Sequence, residues 1–350
     1  MRLGDLVQVL DGTLLPANPG SLTTSVIVGP ELSDDAAVVR LPNEPGAAPT
    51  DERNLILTTD TIGPIVDEPE AFGAIAAANA MSDVWAMGGR PRWALNLAFF
   101  PDHRLPLDVL RRIMIGARDK CAEAGVAIVG GHTVRNEDLK FGLAVTGELT
   151  RGQKRPLANT RAMSGQWLVL SKALGTGVVG TAIKRRLASP SETAAATRSM
   201  LALNAGAAEL ARVHGATACT DVTGFGLLGH LRNLLRGSRL RASVELGRLP
   251  LLPGALELLE QDCFCGGSQS NLEFLERSLI RRYAASDSRA IALTKLACDA
   301  QTSGGLLIAL RHEGAERLLE ELRASGHAAA IIGELAAAKP GEVGQIELLA

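Results

Sequence analysis

Residues 55–100, LILTTDTIGPIVDEPEAFGAIAAANAMSDVWAMGGRPRWALNLAFF, decide the fold class. The opening LILTT is aliphatic and β-branched and reads as a strand. Pro69 suits the first turn of a helix, the apolar run to Met87 its body, and Gly88–Gly89 its stop. Residues 93–100 (WALNLAFF) then read as a second strand. Strand, helix and strand in succession indicate an α/β sheet with helices packed on it. The alternation continues in both directions. SVIV (25–28) and AAVV (36–39) read as short strands before it. After it come a helix over 106–124 ended by Gly125, a strand VAIV (126–129), and a strand FGLAVTGE (141–148).

Residues 151–164, RGQKRPLANTRAMS, are polar, contain a proline and interrupt this rhythm. They place a domain boundary near residue 155, giving domains 1–155 and 156–350. The second half restarts with a strand WLVLS (167–171), a Gly-rich turn, and helices over 178–187 and 191–213, and its α/β pattern ends near Leu349. QDCFCGGSQSN (261–271) reads as a loop by composition. A chain of 350 residues can bury two such cores without disulfides or structural metal. Aromatics are only 3%, so Ala, Val, Leu and Ile must fill those cores. The net charge of −2 offers no basic field for nucleic acid or anionic lipid. No apolar run approaches the ~20 residues of a membrane span, and the N-terminal MRLGDLVQVLDG reads as no targeting peptide. Five cysteines without metal-ligand spacing read as reduced cytosolic thiols.

Gly175, Gly177 and Gly180 satisfy G-x-G-x-x-G after a strand. However, Pro190 and Ser191 open another helix where a dinucleotide fold needs a second strand ending in an acid. A tight turn, open to a phosphate, fits better than a nicotinamide site. Carboxylates at element ends are more informative. Asp34 and Asp35 precede the AAVV strand, Asp60 ends LILTT, Asp83 lies late in the 69–87 helix, and Asp221 sits in TDVTGFGLLGH (220–230). Each alone suits a cap or a solvated turn. Yet Asn79 and Asp83 are spaced i,i+4 and share a helix face with Phe72 and Ala76, which points the acid inward. Asp221 stands among Gly224, Gly226 and Gly229, which let a ligand approach the backbone. Several Asp with few basic neighbours can engage phosphates only through hard divalent cations such as Mg²⁺. The expectation is therefore Mg–nucleotide chemistry without a Walker lysine. In GGHT (130–133) the glycines read as a donor-bearing turn, and His132 reads equally as a polar tip or a phosphate contact. CDAQTSGGLL (298–307) reads as a strand-entry turn. His103, His214, His230, His312 and His327 read as surface or cap residues.

Several strings taken together resemble one family. They are SDDAAV (33–38), TTD (58–60), AANAMSDVWAMGGRP (77–91), AGVAIVGGHT (124–133), FGLAVTG (141–147), TDVTGFGLLGHL (220–231), GGSQSN (266–271) and DAQTSGGLL (299–307). Together they are similar to selenophosphate synthetase, the selenide, water dikinase family, over about residues 5–335. SDDAAV alone recurs in the wider group with aminoimidazole ribonucleotide synthetase, thiamine-monophosphate kinase and the hydrogenase maturation dehydratase. The resemblance implies a two-domain α/β (α+β), aminoimidazole ribonucleotide synthetase-like architecture that forms a homodimer through its N-terminal halves. It implies conversion of ATP, selenide and water to selenophosphate, AMP and phosphate. Carried over by motif, Asp35, Asp83 and Asp221 would hold Mg²⁺. Ser33, Asp34, Asp60, Asp83, Gly130, Gly131 and His132 would bind ATP, and K⁺ would be a further cofactor. The family also carries a Cys or selenocysteine and a nearby Lys just before the stretch that matches RLGDLVQVL. Here Met1 stands in that place, so the expectation is an N-terminal truncation, with a divergent member as the alternative, and a chain that binds Mg–ATP but makes little selenophosphate. The competing readings are a thiamine-monophosphate kinase-like enzyme and a non-catalytic nucleotide-binding paralogue.

Overall fold

The structure, a computed structural model, describes residues 25–29, 34–41, 53–149, 153 and 155–350. The chain divides into two compact units. One runs to Pro156 and takes in Leu201–Ala205; the other holds Leu157–Met200 and Gly206–Ala350.

In the N-terminal unit the described elements are β1 (Val26–Val28), β2 (Ala37–Arg40), β3 (Asn54–Ile62), α1 (Pro69–Ala86), β4 (Gly89–Phe100), α2 (Leu107–Glu123), β5 (Ala127–Arg135) and β6 (Lys140–Leu149). They build one sheet of order β1-β2-β3-β6-β4-β5. Its ladders are antiparallel except β4–β5, which the crossover helix α2 makes parallel. α1 starts at Pro69 as the sequence suggests, and nearly every side of it is buried against the sheet and α2. Glycines set how closely it can pack. A Cβ on Gly73 would lie 1.9 Å from the Ile113 carbonyl oxygen, and one on Gly116 would lie 1.9 Å from that of Glu70. The two helix backbones therefore touch where a methyl group would separate them.

The C-terminal unit contains β7 (Trp167–Leu170), α3 (Thr176–Lys184), α4 (Pro190–Leu201), α5 (Ala205–Val213), β8 (Ala218–Asp221), α6 (Gly226–Ser238), β9 (Leu240–Glu245), α7 (Ala255–Glu260), α8 (Gly266–Leu275), β10 (Leu279–Arg282), α9 (Ser288–Cys298), β11 (Leu306–Leu310), α10 (His312–Ala324), β12 (Ala330–Ala337) and β13 (Ile346–Leu349). The sheet order is β10-β13-β9-β12-β7-β11-β8. α6 shows how the core is made. Leu227, Leu228, Leu231, Leu234 and Leu235 recur at helical spacing and are all fully buried. At the apolar yield of ~1.5–3 kcal/mol per buried Leu, this stripe alone holds α6 in place.

Three expectations are corrected. GGHT is not a turn: β5 runs through Gly130, Gly131 and His132 to Arg135, paired with Leu95–Phe100 of β4. Residues 191–213 are not one helix. They break between α4 and α5, where the Asn204 amide donates to the Ser82 hydroxyl of α1 at 2.8 Å. The stretch 261–271 is not wholly loop, because Cys265 caps α8 by accepting from the Ser268 N–H.

Candidate functional site

β3 and α1 hold two of the sequence's carboxylates side by side. Thr58 and Asp60 are two residues apart on β3 and so share a sheet face. Asn79 and Asp83 are four apart on α1 and share a helix face. The Thr58 hydroxyl donates to Asp83 Oδ2 at 2.5 Å, and the Asn79 amide donates to Asp60 Oδ2. These two rungs tie strand to helix and fix the heading of each carboxylate. Burial pushes the Asp60 carboxyl above its ordinary range, partly offset by the Thr61 N–H and the Asn79 amide. The sheet packs tightly beneath: a Cβ on Gly142 would lie 1.9 Å from the Asp60 carbonyl oxygen.

Asp34 and Asp35 lie half-buried just before β2. β2 runs antiparallel to β3 with Ala37 opposite Leu57, so that register carries the two acids toward Thr58–Asp60. Ser33 lies outside the described residues. His132 pairs with Leu97, next to the Asn96–Gly131 pair. Asn96 and Asp60 both pair with Leu143 and share its face. Strand alternation therefore puts the exposed His132 on the opposite face of the sheet from Asp60. Gly131 is explained by packing, since a Cβ there would lie 2.4 Å from the Asn96 carbonyl oxygen.

In the C-terminal unit, three motifs far apart in sequence form one knot. Asp221, 1% exposed, ends β8 opposite Leu306. The loop after it is pinned from several sides. The Val222 N–H donates to Gly305, the Gln301 N–H to the Thr223 carbonyl, and the Asn271 amide to the carbonyls of Gly224 and Cys298. His230 is buried, not a surface or cap residue. Its Nε2 accepts from the Thr223 N–H at 3.2 Å, so that nitrogen carries no proton. Burial pushes the imidazole down to about 4. Its NMR ring-proton shifts are therefore expected to stay constant from pH 8 to 5 and to move only near pH 4. A titration centred at pH 6–7 would overturn this neutral, structural role.

The Gly-rich turn 175–180 has its anion supplied from within. Gly175 adopts a φ of 118° before α3. The N–H groups of Gly177 and Val178 donate to Asp299 Oδ2, each at 3.1 Å, and those of Gly175 and Thr176 donate to Gln301 Oε1 at 3.0 and 3.1 Å. The chain's own side chains thus occupy the helix start that the sequence left open to a phosphate. Sequence reading also missed Lys172. This residue is 4% exposed, and its Nζ donates to the Ser303 carbonyl at 3.0 Å. The signal was a lysine just after the apolar run WLVL, in SKALGTG.

The chain matches the AIR synthase related protein N-terminal domain over residues 33–149 and the corresponding C-terminal domain over 164–345. It is 43% identical over 343 residues to the selenide, water dikinase of Myxococcus xanthus (strain DK1622), covering 97% of this chain and 92% of that protein. The chain belongs to the selenide, water dikinase family. Another family member, from Geobacter sp. (strain M21), is 44% identical over 89% of this chain and 86% of its own length. The fold is shared more widely. A thiamine-monophosphate kinase from Stenotrophomonas maltophilia K279a superposes with a TM-score of 0.63 at 19% identity, covering 93% of this chain and 91% of that one. The hydrogenase maturation protein HypE in complex with ATP superposes with a TM-score of 0.62 at 21% identity, covering 89% of this chain and 83% of that one. These last two likenesses establish the two-domain α/β architecture alone.

Proposed function

We propose that this member of the selenide, water dikinase family converts ATP, selenide and water to selenophosphate, AMP and phosphate. The observation that carries the proposal is the pair of rungs, Thr58–Asp83 and Asn79–Asp60, which fix two carboxylates between β3 and α1. Among the described residues no three His, Cys, Asp or Glu side chains converge into a ready-made metal cage. Mg²⁺ binds through one or two carboxylates plus substrate phosphates and keeps several waters. The donors are hard carboxylate oxygens, so the residues fit this ion. We assign Asp35, Asp83 and Asp221 as ligands of Mg²⁺ ions, with no single ion taking all three. Ser33, Asp34, Asp60 and Asp83, with Gly130, Gly131 and His132, are assigned to the nucleotide, and K⁺ is the expected monovalent cofactor. When bound, Mg²⁺ supplies neutralisation of the triphosphate charge.

The chain's own part is positional. Asn79 holds Asp60, and Thr58 fixes the heading of Asp83. Prefixed headings spare reorganisation when charge develops on the transferring phosphoryl group. The outer face of the N-terminal sheet supports homodimer pairing. There Leu57, Trp93, Leu95 and Val129 are 41–62% exposed, and Leu57 and Trp93 both pair with Thr146 on one face. In that pairing His132 is carried toward the other copy. Free cysteines throughout, and no helix among the described residues long and apolar enough to cross a membrane, are in keeping with a cytoplasmic enzyme.

Product identity tests the reading. Phosphorus NMR with ATP, Mg²⁺ and selenide should show AMP, orthophosphate and a selenium-bonded phosphate. Accumulating ADP with a phosphorylated metabolite would favour the kinase-like alternative. Tight ATP binding with no product under any acceptor would favour the non-catalytic one.

A further inference from the structure

A cavity opens in the C-terminal unit, at the start of α10. It holds about 430 Å³ and is lined by Met163, Ser164, Gly165, Gln166, Arg311, His312 and Glu313. Gln166 is 1% exposed. Its Oε1 accepts from the Met163 N–H at 2.8 Å and from the Thr217 hydroxyl at 3.0 Å. Turning the amide over would set its NH₂ against the Met163 N–H, so the orientation is fixed. The Nε2 group is buried and has no acceptor among the described residues. A buried donor without an acceptor costs about 1–3 kcal/mol. The fold accepts that cost beside a cavity, where an arriving acceptor can remove it.

The rest of the lining is also rich in donors. α10 is 13 residues long, and no side chain caps its N-terminus. Its first intrahelical bond runs from the Ala315 N–H to the Arg311 carbonyl, which leaves the N–H groups of His312, Glu313 and Gly314 at the open end. Such an end favours negative charge. The Ser164 hydroxyl and the Arg311 guanidinium line the same space. One wall is aromatic: His312 stacks on Trp167 with ring centroids 4.1 Å apart. Met163, 43% exposed, supplies an apolar lip. Glu313 is the single acid in the lining and limits how much negative charge the cavity tolerates.

We propose that this cavity binds a small metabolite bearing one oxyanion, a carboxylate or a phosphate ester, on a flat or apolar body. The oxyanion takes Gln166 Nε2, the α10 N–H groups and Arg311, while the body lies over His312 and Met163. The site is separate from the assigned nucleotide residues and does not depend on the dikinase reading.

Calorimetric titration of the full chain with benzoate, phenyl phosphate and benzamide tests it, with and without saturating ATP. Benzoate or phenyl phosphate should bind, and the tighter of the two names the oxyanion. Benzamide, neutral and of the same shape, should bind at least ~10-fold more weakly. Arg311→Ala, on the surface, should weaken binding ~10-fold. Gln166→Glu keeps the acceptor for Met163 and Thr217 but replaces the donor by an acceptor and should abolish binding; its buried carboxylate also lowers the melting temperature, so Arg311→Ala at the surface reads the site independently of stability. ATP should not compete. No binding of either anion at about 10 mM, or equal affinity in wild type and Arg311→Ala, would overturn the site. Competition by ATP would reassign the ligand to the nucleotide residues and would also overturn it.

Discussion

Replacing Asp83 by Asn is expected to lower Mg²⁺-dependent ATP turnover by roughly 10³-fold while leaving the melting temperature almost unchanged. The asparagine oxygen can still accept from the Thr58 hydroxyl, so the rung between β3 and α1 survives. What disappears is the negative charge. Asp83→Ala should be equally inactive but also less stable, by about 1 kcal/mol, because Thr58 then lacks its acceptor. Thr58→Val keeps the charge and frees its heading, and should cost only about tenfold. Steady-state AMP formation together with thermal melts separates the three. Activity of the Asp83→Asn variant within threefold of wild type would remove Asp83 from the chemistry.

The largest effect on stability is expected at Asp299. Its carboxylate is fully buried and accepts from the N–H groups of Gly177 and Val178, from the Ser268 hydroxyl and from the Gln301 amide. Asp299→Ala strands these donors in the interior and should cost about 4 kcal/mol, roughly 10 °C in melting temperature. Burial pushes the Asp299 carboxyl up to about 6, despite the opposing donors. The folded chain therefore keeps a proton that an unfolded Asp has already released between about pH 4 and 6. Stability contributed at this group falls as pH climbs through that window, by on the order of 3 kcal/mol. Asp299→Asn should flatten the slope while tolerating the shell, since its oxygen can face the two N–H groups. Denaturant titrations at pH 4.5 and 6.5 compare the slopes. An Ala variant within 1 kcal/mol of wild type would show that the shell is dispensable.

Local signals in the sequence were legible. Pro69 and Gly88–Gly89 mark α1. The pairing of Asn79 with Asp83 on one helix face was legible because helical spacing is a local property. What the sequence hid is non-local. GGHT looks like a turn until β4 supplies Leu95 and Asn96 as ladder partners. The G-x-G-x-x-G string looks like a phosphate cradle, whereas its anion is Asp299, over a hundred residues later. The break between α4 and α5 has no proline or glycine to announce it beyond Gly206, and Asn204 is held there by Ser82. His230 could not be recognised as buried before the loop of Thr223 was known to wrap it.

The short return of Leu201–Ala205 to the N-terminal unit bears on how the chain is made. During synthesis, a ribosome that has just released residue 156 has not yet delivered every part of that unit. Ser82 waits for Asn204, and the intervening stretch through Met200 belongs to the other unit. No single cut yields two whole units: one after residue 156 leaves the first fragment without Leu201–Ala205, and one after residue 205 takes β7, α3 and α4 from the second.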